Sequence, residues 1–259
     1  MRKSIIAALA VAILTLSPAL SLPVLAEEGP ELKHQSWPWL GVFGKYDQAQ
    51  LKRGWQVYHE VCSNCHSMKL VAYRNLAAIG FSEDEVKAFA AEKQVKDGPN
   101  DQGEMFDRAA RPSDRIVPPF ANDQASRAAN NGALPPDMSL LAKARKGGPD
   151  YIYALLNGYK DTPPEGFTLN DGMYYNEIFA GHQIAMPPPI AGDDMVTYAD
   201  GTKATQAQVT QDIVAFLNWA AEPELDVRHS LGIKVLGFLV VLTALFYALK
   251  RKIWSDVDH

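Results

Sequence analysis

Residues 62 to 66 of this chain read Cys-Ser-Asn-Cys-His, and they hold both of its cysteines. Two thiols at C-x-x-C spacing with an imidazole next in line form the attachment signature of a c-type haem. The thiols add across the two vinyl groups of one porphyrin, and the adjacent histidine reaches the iron from one side. A structural zinc site normally takes four nitrogen or sulfur ligands, and no second cysteine pair exists to complete one. A thioredoxin-like dithiol sits at a strand-to-helix junction of a βαβ unit, which the flanking residues do not suggest. The motif implies one covalently attached haem c, with Cys62 and Cys65 as its thioether sites and His66 as an iron ligand. A haem held in this way has further needs.

It needs export, and the chain's ends speak to that. Arg2 and Lys3 precede an apolar run from Ile5 to Leu16, and Val24-Leu25-Ala26 supplies a cleavage-like ending. Residues 1–26 read as a secretory signal peptide, its apolar run being too short for a retained anchor. At the other end, Leu231 to Leu249 is apolar with the single charge of Lys234, and Lys250-Arg251-Lys252 follows at once. That is long enough to cross a bilayer, and the basic cluster marks the cytoplasmic side. The expected organisation is a signal peptide over 1–26, an extracytoplasmic haem domain over 27–229, a transmembrane anchor over 230–250 and a cytoplasmic tail over 251–259. The head is thereby expected in the periplasm, held to a bacterial inner membrane by one span.

The chain's formal charge of −5 conceals an imbalance, because residues 27 to 229 carry 28 acidic against 19 basic side chains. Such a head does not suit nucleic acid. An acidic surface favours a basic protein partner through electrostatic steering, although solubility alone also accounts for it.

Within the head the apolar spacing is helical. Leu51, Trp55, Tyr58 and Cys62 form one stripe behind the capping residue Asp47, so the first helix ends on the first haem thiol. His59 lies off that stripe and is expected in solvent. Ser82-Glu83-Asp84-Glu85 is a capping box opening a second helix. Lys96 to Phe120 reads as loop, and a short helix stops at Asn131-Gly132 before an extended Pro135-Pro136 segment. Gly147-Gly148-Pro149 opens a helix that Asn157-Gly158 closes. Val209, Ile213, Phe216, Leu217 and Ala220 give the last helix of the head an amphipathic stripe, ended by Pro223. No segment alternates convincingly as a sheet. The fold class is therefore mostly α: a haem-wrapping domain with long loops, plus one C-terminal transmembrane helix.

A six-coordinate iron takes a second ligand opposite His66. His34, His59, His182 and His229 are available, as are Met105, Met138, Met173, Met186 and Met195; Met68 stands too close to His66 in sequence. Met186 stands out through its setting, Ile184-Ala185-Met186-Pro187-Pro188-Pro189-Ile190. Three prolines stiffen the backbone and remove three N–H donors, so the strap can lie against an apolar cofactor without orphaned donors. Histidine–methionine ligation raises a haem's potential and leaves no open position for oxygen chemistry, which points to electron transfer. Arg145 and Tyr151 are candidates to meet the haem propionates.

The run from Arg127 to Tyr159, RAANNGALPPDMSLLAKARKGGPDYIYALLNGY, resembles the cytochrome c1 family, the c-type haem subunit of the quinol:cytochrome c oxidoreductase (bc1) complex. So do IAMPPPI around Met186, the QDIVAFLNWAAEPE helix, the single C-terminal span and the basic ALKRKIWS tail. The resemblance implies a cytochrome c-like domain, with His66 and Met186 as axial ligands. It places Arg145 and Tyr151 near a propionate, and Asn130 and Pro135 in the haem pocket. It also implies electrons arriving from a Rieske iron–sulfur protein and leaving to a soluble basic cytochrome c, with cytochrome b in the same complex, in respiration or photosynthesis. Some relatives carry a disulfide in the head; this chain has no cysteines for it, so the loop from Asp161 to Gly172 must be held otherwise. The rival readings are a free membrane-tethered cytochrome c, the c-type subunit of a terminal oxidase, and a haem enzyme such as a peroxidase.

Overall fold

A helix begins where its first N–H groups find acceptors, and the Asp47 carboxylate takes the amides of Ala49 (2.9 Å) and Gln50 (3.4 Å). The computed structural model describes residues 32–256, in which this cap opens α1, Gln48–Glu60. The expected signal peptide lies outside the described residues, as does the end of the expected tail. The apolar stripe of α1 is buried as its spacing requires, with Leu51, Trp55, Val57 and Tyr58 all in the core.

Against α1 lies α6, Gln206–Ala221, capped by the Thr205 hydroxyl on the Gln208 amide. Eleven of its sixteen residues are buried, more than the single stripe read from the sequence, because α1, α4 (Leu141–Ala144) and α5 (Gly148–Asn157) surround it. The closest approach is at Gly54, where a methyl group would stand 2.1 Å from the Asp212 carbonyl oxygen and 2.6 Å from the Phe216 Cβ. Glycine is the one residue that lets the two backbones meet there. The rings of Trp55 and Tyr58 each lie 5.8 Å from that of Phe216, which is itself 5.6 Å from Trp219. Large aromatic rings packed in this way bury much apolar surface at the crossing.

The same crossing holds an ion pair. Arg53 forks onto the fully buried Asp212 through Nε (2.9 Å) and Nη2 (3.2 Å), and its Nη1 reaches Asp200 at 2.8 Å.

Two shorter helices are also capped by side chains. The Ser82 capping box forms as its residues indicate and opens α2, Glu83–Ala91, while Asn122 caps α3, Asp123–Ala129.

Two expectations are corrected here. The head contains strands: β1 (Gln94–Asp97) pairs antiparallel with β2 (Phe106–Ala109), and β3 (Tyr174–Tyr175) with β4 (Gln183–Ile184). Lys96–Phe120 is thus not all loop. The ribbons escape a reading by alternation because they are short and mostly exposed; Asp97, Arg108 and Asp114 staple the first through ion pairs instead of an apolar face. His59 is not free in solvent either. Its ring stacks on Trp55 at 5.3 Å and its Nε2 meets Glu92 at 2.9 Å.

The Asp161–Gly172 loop is held without a disulfide. Phe167 packs edge-on to Tyr175 at 5.1 Å, and the Asn170 amide donates to Gln183 Oε1 at 3.1 Å. Past Pro223 the chain enters α7, Leu225–Ile253, a 29-residue helix of which only Leu225 is buried. It starts five residues before the expected anchor and runs through that boundary unbroken.

Candidate haem site

The C-x-x-C-H motif follows α1 directly, as a single 3-10 turn over Cys62–Asn64. The Cys62 carbonyl accepts both the Cys65 amide (3.1 Å) and the His66 amide (2.9 Å), which folds the two cysteines and the histidine onto one turn. Both thiols are free. Cys62 is half-buried at the end of the α1 stripe, where burial pushes its thiol up to about 12, and Cys65 is exposed. Among the described residues no group of three or more His, Cys, Asp or Glu is placed to hold a metal by itself.

His66 is buried, and its Nδ1 lies 2.9 Å from the Pro136 carbonyl oxygen. A carbonyl only accepts, so Nδ1 carries the proton and Nε2 keeps its lone pair. Burial holds the imidazole below its ordinary value, in the neutral form that a metal takes. Tyr58 donates its hydroxyl to the His66 carbonyl at 3.2 Å, fixing the backbone from behind.

Asp137 ties the Pro135-Pro136 segment to the motif. Its carboxylate accepts the Ser67 hydroxyl (2.8 Å), the Lys69 amide (2.8 Å) and the Ser139 amide (2.9 Å). Burial raises its pKa, but the hydrogen bonds outweigh burial and hold the carboxyl below its ordinary value. Its stabilisation is therefore complete above the ordinary value, about 4, and is lost as pH falls through the depressed one. We expect Asp137→Asn to lower the midpoint of denaturant unfolding at neutral pH. It should also flatten the loss of stability in acid, read from unfolding at stepped pH; an acid limb as steep as in the parent chain would contradict this role.

Met186 follows β4 on its proline strap, half-buried. The Tyr159 hydroxyl donates to the Met186 carbonyl at 3.0 Å. Tyr159 and Tyr151 lie close enough to influence each other electrostatically, and burial raises both phenols. Arg145 stands near Tyr151 and offsets part of that rise, while its own side chain is exposed and bonds only the Ala144 carbonyl. The structure thus brings Tyr151 near both Arg145 and Tyr159, bonds Tyr159 to Met186, and joins His66 to Pro136. Asn130 spends its amide on the Ser126 carbonyl (2.7 Å), closing α3, and its own carbonyl accepts the Ala133 amide ahead of the half-buried Pro135.

Of the other candidate ligands, three histidines are hydrogen-bonded elsewhere, and the Met195 sulfur accepts the Ala191 amide at 3.0 Å. Nδ1 of His34 meets Asp150, Nε2 of His59 meets Glu92, and Nδ1 of His229 meets the Gly44 carbonyl. Met68 is fully buried in the core, Met138 donates its amide to Ser67 on the His66 side, and Met105 is exposed on the β1–β2 ribbon. His182, by contrast, has a buried Nδ1 without a partner, its ring lying against Tyr175 and Phe167.

Sequence reasoning missed Tyr58, Pro136, Asp137 and Tyr159. Only Asp137 carried a local signal, since an aspartate after Pro-Pro is poised to accept nearby amides. The residues present fit a covalently held haem: two free thiols and a buried neutral imidazole with a free Nε2 share one turn, with no rival metal cluster beside them.

Comparison with known proteins agrees with this chemistry. Residues 37–257 match the Cytochrome C1 family. Over 248 residues the chain is 58% identical to cytochrome c1 of Rhodospirillum rubrum, covering 90% of this chain and 91% of that protein. It is 49% identical over 231 residues to a mitochondrial cytochrome c1 heme protein of Arabidopsis thaliana, covering 89% of this chain and 74% of the relative. With a Bradyrhizobium diazoefficiens protein named cytochrome b/c1 it shares 46% identity over 241 residues, which cover 85% of this chain and 35% of that longer one.

Proposed function

Because this chain belongs to the cytochrome c1 family, we propose that it is the electron-transferring haem subunit of a bc1 complex and not a catalyst on its own. When bound, haem c supplies a one-electron couple whose potential the protein sets. Cys62 and Cys65 would hold it covalently, and His66 Nε2 and the Met186 sulfur would serve as its iron ligands. Pro136 orients His66, and Tyr159 with Pro187–Pro189 orients Met186, so neither ligand has to be ordered at the moment of binding. Arg145 and Tyr151 would serve a propionate, and Asn130 and Pro135 would line the pocket. The single observation that carries this reading is the His66 ring, buried and neutral, with Nδ1 committed to Pro136 on the same turn as two free cysteines.

The same reading covers the surroundings. Residues 1–26 would direct export, 27–229 would form the periplasmic head, 230–250 of α7 would cross the bacterial inner membrane, and 251–259 would remain inside. Electrons would arrive from a Rieske iron–sulfur protein and leave to a soluble basic cytochrome c drawn by the acidic head. Cytochrome b would be the membrane partner, and the relative named cytochrome b/c1 supports that association. Extraction of the membrane in mild detergent tests the assembly. We expect this chain to co-purify with a b-type haem protein and an iron–sulfur protein; purification as a solitary cytochrome would favour a free tethered shuttle instead.

A further inference from the structure

The chain ahead of α1 forms a closed loop. Its neck is the Lys45 amide on the Pro38 carbonyl (3.0 Å), with inner turns from Leu40 to Trp37 (3.1 Å) and Gly44 to Gly41 (3.2 Å). Trp37 and Trp39 are buried and stacked at 4.9 Å, and Trp39 packs on Tyr46 at 5.4 Å, so the neck is rooted in the core. Gly44 admits no side chain, because a Cβ there would stand 2.3 Å from the Leu40 carbonyl oxygen. This well-braced loop nevertheless presents Leu40, Val42 and Phe43 outward, at 58%, 61% and 79% exposure. Three large apolar side chains on a rigid mount mark an interaction surface, not an incidental exposure.

The loop's position identifies what it meets. The Gly44 carbonyl accepts His229 Nδ1 at 2.8 Å, and the Tyr46 amide donates to the Asp226 carboxylate at 3.2 Å. Both partners lie in the first turns of α7. Leu231, where the long apolar run begins, is two residues beyond His229, about 3 Å along a helix axis. An open groove of about 390 Å³ along the start of α7 is lined by Asp226, Val227, Ser230, Leu231 and Lys234 of the helix and by Lys45 of the loop's neck. Lys45 therefore lies alongside the part of α7 that enters the apolar span. Lysines at that level suit lipid phosphates, their stems lying along apolar surface and their ammonium groups in the headgroup layer.

We propose that the Leu40–Phe43 tip inserts into the headgroup–acyl boundary of the phospholipid bilayer that α7 crosses, so that the head meets the membrane at two points. Two contacts fix the head's tilt, which one helix alone leaves free to vary. The inference rests on α7 being the membrane span, and its test is arranged to separate the two. With Cys62 and Cys65 engaged by haem, a nitroxide label attached through Phe43→Cys reports one position in the full-length haem-loaded chain in phospholipid vesicles. Labels at Met105→Cys, on the β1–β2 ribbon, and Val240→Cys, in α7, serve as references; the unsubstituted chain gives the labelling background.

The ratio of oxygen to water-soluble nickel-complex accessibility at position 43 should approach that at 240 and exceed that at 105 severalfold. A water-like ratio at 43 with a lipid-like one at 240 overturns the loop proposal alone. Water-like ratios at both positions overturn the span as well. A label at 43 shielded from both reagents also overturns the proposal, since it places protein and not lipid on the tip. Val42→Cys repeats the measurement should Phe43→Cys fail to yield haem-loaded protein.

Discussion

Replacing Met186 by leucine is expected to lower the midpoint potential and to let carbon monoxide bind the reduced protein, which the parent chain should refuse. Leucine keeps the apolar volume and the strap, so Pro187–Pro189 and the Tyr159 bond to the residue 186 carbonyl remain. What it removes is the thioether. A thioether stabilises the reduced iron relative to the oxidised one, and axial ligand choice spans a range of about 0.8 V. A fall on the order of a tenth of a volt is accordingly expected in a redox titration. An unchanged potential with no carbon monoxide binding would remove Met186 from the iron. His182 would then be the first alternative, because its Nδ1 is buried and unpartnered and its chain position is four residues away.

Arg53→Met is expected to cost about 3–5 kcal/mol of stability, the usual consequence of stripping one partner from a buried ion pair. Asp212 has no exposed side-chain surface, and without the guanidinium its carboxylate keeps the Gln208 amide at 2.9 Å and the neighbouring Tyr198 phenol but no positive charge. Domain stabilities are commonly 5–15 kcal/mol, so the denaturation midpoint should fall substantially. The loss sits where α1 crosses α6, and α1 carries the haem motif at its end. Adding Asp212→Leu should recover part of it, since a buried pair replaced whole by apolar residues costs far less than one left half-made. A single variant as stable as the parent would mean that the partial exposure of the pair's cationic side suffices to solvate Asp212.

These two sites differ in how far the sequence exposes them. Met186 stands out as a candidate ligand because its setting is local: a thioether ahead of three prolines is unusual enough to be noticed without a fold. Arg53 and Asp212 are 159 residues apart and sit in helices whose apolar stripes draw attention elsewhere. The stripes are reliable, as Leu51, Trp55 and Tyr58 in α1 and Val209, Ile213 and Phe216 in α6 all reach the core. They understate α6, whose second face is covered by α4 and α5. The short ribbons are illegible for a different reason. Their residues bury little, and Arg108 ties β2 to Asp97 of β1 and to Asp114 beyond it through carboxylates that any exposed loop can carry. His59 shows the converse limit: off the stripe does not mean in water when Trp55 and Glu92 are both in reach. At the candidate haem site the motif and its turn are readable, but the Pro136 carbonyl bonded to His66 and the Tyr159 hydroxyl on the Met186 carbonyl act across 70 and 27 residues. Contacts of that span become visible only when the chain is folded.

The central claim is that the turn at Cys62–His66 holds one haem by two thioether bonds. The full-length protein, denatured, extracted with acidified acetone and weighed by mass spectrometry, answers this directly. The account predicts a polypeptide heavier than its processed sequence by one haem, with no pigment in the extract. A polypeptide of unmodified mass, with its haem in the acetone or with none at all, would contradict it.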